Sequence, residues 1–343
     1  MHNRDSYDNK RHIGLDVLRI IITFMILIHH IIVHGYGLIG LKNEFHYASI
    51  IPPAYMFILN AFCIVAVNCF YWISGYFGIR RSFKKILLLY LQSMVFMTLY
   101  QVLFLALKNE SISIYFILMP FKDYWFIATY IFLCLFAPYI NSYFNSICKR
   151  EALIIALLLT IINIIYGFVF SIGEVGNGYS VFQALNLYII GCVCKKYNDT
   201  FLNISRKYYI AIYLMSSLLT GAGSLILYCF GRYSVSWRFF QYNNPLIILS
   251  SVSLCIYFAL RDEIYNQKVN TLISRCASVT LLLYLITDCY KVKEYIYAPI
   301  VRFTTHNSLG GVLEVILIFL YAIVIFTLVY IIDQLRLVIL KRR

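Results

Sequence analysis

Apolar residues run through this chain in blocks of about 20, broken by short polar patches. A helix needs about 20 such residues to cross the hydrocarbon core of a bilayer. The pattern predicts ten spans, at residues 15–37, 54–79, 86–107, 124–141, 152–172, 181–194, 208–230, 244–260, 277–297 and 309–332. The expected fold is all-α: a polytopic integral membrane helical bundle of about ten transmembrane helices, with residues 1–343 forming one domain. Span 181–194 is the weakest, because it is short, carries Gln183 and Asn186, and follows the Gly-rich stretch GEVGNGYS. The basic residues between Lys195 and Lys207 argue that it crosses, since they would otherwise lie outside.

Composition agrees with that pattern. The chain is 62% hydrophobic and 13% charged, with a mean hydropathy of +0.77. A single soluble core cannot hide that much apolar side chain. The net charge of +14 would suit nucleic acid, but its distribution argues against that partner. With both termini cytoplasmic, 20 of the 29 Lys and Arg fall in cytoplasmic segments, 8 in outside loops, and Arg19 in the first span. That bias is a topology signal. The ten cysteines fall mostly within or at the ends of spans and read as packing residues. Cys192 and Cys194 are too close for an ordinary metal clip and lack a nearby His, so no metal is expected. The polar N-terminus leads into a span longer than a signal-peptide core, so that span is expected to stay as a helix.

The first span, HIGLDVLRIIITFMILIHHIIVHG, carries the most unusual polar groups. Asp16 and Arg19 are three apart and share a face. Arg19 and His30 are separated by eleven residues, close to three full turns, so they point the same way about 16 Å apart. His34 lies one further turn along, whereas His29 is rotated by roughly 100° toward a different neighbour. Ionisable groups inside a span are costly and face a bundle interior, a cavity or a partner. Interfacial pairing and helix bonding would account for one such group. Three imidazoles on a helix that also carries a guanidinium point instead to proton transfer, with His30 as the base and Arg19, Asp16 and His29 beside it. His34 would position an acceptor.

Other polar groups are compatible with a site but have structural readings too. Trp72 and Ser74 lie within the second span, where Ser74-Gly75 also permits close helix approach. Arg80, Arg81, Lys84 and Lys85 follow it, as a positive-inside anchor or a phosphate-binding patch. Tyr124 and Trp125 open the fourth span, as interfacial anchors or substrate contacts. Asp288 is expected near the outer end of the ninth span, where it need not be deeply buried.

Taken in order, these segments resemble a known family. Asp16-x-x-Arg19 followed at the right distance by His30 is similar to the first-helix pattern of the membrane-bound acyltransferase 3 family. NCFYWISGYFGIRR resembles that family's second helix and basic loop, DYWFIATYIFLCLFAPYIN its fourth helix and LLYLITD its ninth. The chain departs from the pattern at Lys84, where a second spaced arginine is common, and at Thr287, where His often precedes the acid. The resemblance implies a bacterial inner- or plasma-membrane O-acyltransferase with acetyl-CoA as the acyl donor. It also implies a hydroxyl of capsular or other surface polysaccharide, or its lipid-linked precursor, as acceptor. Arg19, Arg80, Arg81 and Lys84 would meet the donor's phosphates, and His34, Trp72, Ser74, Tyr124, Trp125 and Asp288 the acceptor. A polysaccharide polymerase or lipid-linked oligosaccharide transporter is the rival class, disfavoured by the short loops and only six prolines. A structural subunit is the third reading. No reading fixes an oligomeric state.

Overall fold

The computed structural model describes residues 12–38, 53–261 and 266–341. Lys42, most of the charged N-terminal segment and the final two arginines, which contribute to the expected orientation, lie outside them. Regular structure among the described residues is helical throughout. The elements are α1 (Ile13–His30), α2 (Ala54–Cys63), α3 (Ala66–Phe77), α4 (Phe83–Lys108), α5 (Ile114–Leu118), α6 (Trp125–Ser146), α7 (Lys149–Ile162) and α8 (Val181–Lys196). They continue with α9 (Asn198–Leu202), α10 (Arg206–Cys229), α11 (Tyr233–Arg238), α12 (Pro245–Ala259), α13 (Gln267–Ser278), α14 (Thr280–Thr287), α15 (Tyr290–His306) and α16 (Gly311–Lys341).

Eight stretches are long and apolar enough to cross a membrane, and α12 is a shorter apolar helix. The protein is a polytopic membrane bundle. The weakest expected span is buried inside the protein, and one expectation changes. Residues 181–194 form the buried helix α8, whose Gln183, Asn186, Leu187 and Tyr188 are withdrawn from the surface. Its polar residues are there because it packs inside protein, where amide groups can find partners. The stretch 277–297 is not one helix. It ends at Thr287, turns through Asp288 and Cys289, and restarts at Tyr290, where both carboxylate oxygens of Asp123 accept the Tyr290 N–H at 3.2 and 3.0 Å. That carboxylate satisfies a backbone donor that the break would otherwise leave without a helical partner.

Helix α1 runs through the middle of the bundle and packs against α2, α3, α12, α13, α14 and α16. Leu15, Leu18, Ile22 and Leu27 are fully buried along it. It starts with His12, whose Nδ1 accepts the Leu15 N–H, and passes into a π-helical turn at Ile31–Gly35. Such turns recur at functional sites because they re-aim side chains without ending the helix. All ten cysteines are free, as expected of packing residues.

Helix α3 packs closely on α8, where two glycines face opposing backbone. A Cβ on Gly75 would fall 1.9 Å from the Tyr188 carbonyl oxygen, and one on Gly191 2.2 Å from that of Trp72. Small residues let membrane helices approach to backbone contact, and here no side chain fits. Gly75→Ala and Gly191→Ala are therefore expected to destabilise the bundle by about 1–3 kcal/mol each. Gly310→Ala, with nothing within 4 Å of its Cβ, should be neutral. Thermal unfolding of the detergent-solubilised protein checks this, and equal midpoints for all three would contradict it.

Candidate functional site

Three turns of α1 separate a guanidinium from an imidazole, and one cavity of about 510 Å³ touches both. Its lining includes Arg19, His29, His30, His34, Ser74, Trp125 and Asp288 from the residues singled out in the sequence. At the Arg19 end, the guanidinium Nη1 donates to Asp16 Oδ1 at 2.6 Å, and Asp16 also accepts from the Ser274 hydroxyl at 3.3 Å. Asp16 is fully buried and sits behind Arg19 rather than in the cavity wall. The Arg19 guanidinium lies over the Phe77 ring, 5.3 Å from its centroid. Phe77 ends α3, so the exposed basic loop of Arg80 and Arg81 begins beside Arg19.

The other end holds the titratable groups. His30 Nδ1 is 3.2 Å from the Tyr297 hydroxyl and 3.8 Å from Asp288 Oδ1. The Tyr297 hydroxyl donates to the Thr287 carbonyl at 3.3 Å, so its oxygen is left to accept from His30. Both neighbours of Nδ1 are then acceptors, which places the imidazole proton on Nδ1 and leaves the lone pair on Nε2. The His34 ring lies 5.2 Å from that of His30 and stacks on Tyr297 at 6.2 Å. His29, rotated on the helix, places its Nδ1 2.6 Å from Asn60 Oδ1, while its ring stays 5.6 Å from that of His30 and lines the same cavity.

Asp288 is only 2% exposed, a deeper burial than a place near the outer end of a span requires. The helix break folds its carboxylate inward, where Lys293 Nζ approaches Oδ1 at 3.0 Å. His30, His34 and Asp288 bring one ligand atom each to within 4.8 Å of one another, a spacing that a metal ion can use. The Lys293 ammonium already balances the Asp288 charge, so the donor set does not call for an ion. Nearby, burial pushes the Asp123 carboxyl up from the usual carboxylate range, opposed by the Tyr290 amide it accepts.

Several expected contacts are elsewhere. Trp72 is fully buried, stacked on Tyr76 at 5.1 Å, and takes no part in the cavity wall. Its place in the α3–α8 seam explains the aromatic better than a substrate does. Tyr124 is also fully buried, its hydroxyl donating to the Leu285 carbonyl at 2.8 Å, so it fastens α6 to α14 rather than anchoring at an interface. Arg80, Arg81 and Lys84 are exposed and outside the cavity lining. Four residues join the site without having been anticipated: Lys293 and Tyr297 from α15, and Tyr179 and Tyr242 from the cavity wall. Lys293 follows Asp288 by five residues, a spacing that becomes informative only once the helix break between them is known.

A buried carboxylate that loses its cation is destabilising by about 3–5 kcal/mol. Lys293→Met should therefore lower the unfolding midpoint strongly, and adding Asp288→Asn to it should recover much of the loss. A double-mutant cycle of thermal unfolding measures this, and additive losses would contradict the pairing.

Residues 12–333 match the acyltransferase 3 family, described as an acyltransferase domain. No curated protein and no solved structure matches the chain. The matched region runs from His12, which caps α1, to Asp333 in α16, and so contains the whole cavity. The chain belongs to the acyltransferase 3 family, whose members are membrane acyltransferases that move an acyl group from a donor to an acceptor.

Proposed function

We propose that the protein is an O-acetyltransferase that moves acetyl from cytoplasmic acetyl-CoA to a hydroxyl of a capsular or other cell-surface polysaccharide, or its lipid-linked precursor, in a bacterial inner or plasma membrane. The observation that carries this reading is the single cavity joining Arg19 to the His30–Asp288–Lys293 group. A donor with an anionic head and a thioester tip needs both ends: a guanidinium for phosphate, and a base about three helix turns away. The bias of basic residues toward the segments assigned as cytoplasmic puts the Arg19 end on that side. Arg80 and Arg81, which follow Phe77, would gather the nucleotide outside the mouth.

In this mechanism His30 Nε2 takes the proton from an acceptor hydroxyl, and the oxygen attacks the thioester carbonyl carbon. The developing oxyanion gains from the Lys293 ammonium nearby. The C–S bond then breaks, and the His30 imidazolium returns its proton to the departing CoA thiolate. Asp288 and Tyr297 hold the Nδ1 side of the ring and stabilise the imidazolium between those steps. Asp16 keeps Arg19 extended along the helix face. His34 and Ser74 face the same space and contribute hydrogen-bonding groups to the acceptor.

General-base removal costs on the order of 10²–10⁴ in rate. His30→Ala should lower transfer of labelled acetyl from acetyl-CoA to polysaccharide in isolated membranes by that order, at unchanged protein level. Surface polysaccharide from the same cells should lose its O-acetyl NMR signal. An unchanged signal would sink the assignment of His30.

A further inference from the structure

Resting on that reading, we infer that Trp125, Tyr179 and Tyr242 form the platform that holds the acceptor's sugar ring, and that the loop carrying Tyr179 is built to fix its shape. All three line the cavity that holds His30. The Trp125 and Tyr179 rings are 4.5 Å apart at 61°, Tyr179 and Tyr242 are 4.9 Å apart at 62°, and Trp125 stacks on Tyr242 at 5.8 Å and 29°. Tyr242 is buried, while Tyr179 remains 40% exposed and forms a rim. A pyranose has apolar C–H faces and a hydroxyl edge. An aromatic wall suits the faces, and the polar end of the cavity suits the edge.

The wall is fixed from behind by buried amides. The Tyr242 carbonyl accepts from Asn68 Nδ2 at 2.9 Å and from Gln183 Nε2 at 2.8 Å, and Asn163 donates to Gln183. Two more bonds tie the Tyr179 loop to the Tyr242 segment. Gln241 Nε2 donates to Asn177 Oδ1 at 2.6 Å, and Asn243 Nδ2 to the Val175 carbonyl at 3.2 Å. Gly178, between Asn177 and Tyr179, has φ +76°, and a Cβ there would meet Tyr242 Cβ and the Asn243 nitrogen at 2.8 Å. Only glycine lets the loop lie this close in this conformation. Packing alone needs aromatic contact. A network of interbonded amides and an obligatory glycine adds a fixed orientation, which is what recognition requires.

The test uses the full-length protein in proteoliposomes, with labelled acetyl-CoA as donor. The acceptor is surface polysaccharide purified from cells lacking the gene. Losing one aromatic contact from the wall should raise the acceptor KM roughly tenfold in Tyr179→Ala, and further in Trp125→Ala, with the donor KM within about twofold of wild type. Trp125→Phe keeps an aromatic face and should stay within about threefold for the acceptor. Tyr179 is at the rim, so Tyr179→Ala reads the proposal even where Trp125→Ala does not accumulate. An unchanged acceptor KM in Tyr179→Ala, or a rise confined to the donor, overturns the platform while wild-type transfer stands. Absence of wild-type transfer both to the polysaccharide and to its lipid-linked precursor overturns the proposed function, and the platform with it.

Discussion

A carboxylate buried in the middle of an apolar bundle has to be paired, and Asp288 is such a group. Meeting that requirement accounts for much of what surrounds it. The helix that carries it ends at Thr287, so that the Asp288 side chain turns inward rather than toward lipid. The next helix begins at Tyr290 on the Asp123 carboxylate and returns Lys293 to the acid within one turn. Tyr297, one turn further, meets His30 with its hydroxyl. The break, the ion pair and the orientation of the imidazole are thus parts of a single solution to one desolvation problem.

The central position of α1 gives that solution a use. A helix at the periphery could carry Arg19 and His30 on one stripe only by exposing them to lipid or by pairing each locally. Packed against six other helices, α1 points the stripe into a shared cavity instead. Its start is fixed by His12, whose Nε2 lies 2.9 Å from the Ala259 carbonyl, and by Gly14, where a Cβ would fall 2.1 Å from the Arg261 carbonyl oxygen. The registry of Arg19 against His30 is then set by helix geometry, and the π-turn at Ile31–Gly35 adjusts His34 separately.

The spans and the stripe on α1 were legible because both rest on local periodicity, which a sequence displays directly. The break at Asp288 was not, since no Gly or Pro marks it and its cause is Asp123, far away in the chain. Lys293 and Tyr297 were hidden for the same reason: in a continuous helix they lead out of the membrane, and only the turn brings them back. Trp72 and Tyr124 misled in the other direction. An amphipathic aromatic near a span end looks the same in sequence whether it faces a cavity or fills a seam, and these two fill seams. Tyr179 and Tyr242 are 63 residues apart and meet only through the amide network behind them. Helix α8 looked like a weak span because its polar residues serve that interior network rather than the bilayer.

The central claim is that one cavity holds the acyl donor lengthwise, with its phosphates at Arg19 and its reactive carbon at His30. Cryo-electron microscopy of the protein with a non-hydrolysable thioether analogue of acetyl-CoA tests it most directly. The account predicts nucleotide density at the Arg19 end and the acyl-equivalent carbon within roughly 3–4 Å of the position reached by a hydroxyl bonded to His30 Nε2. Phosphate density at the Lys293 end, or an analogue bound outside the cavity altogether, would contradict it.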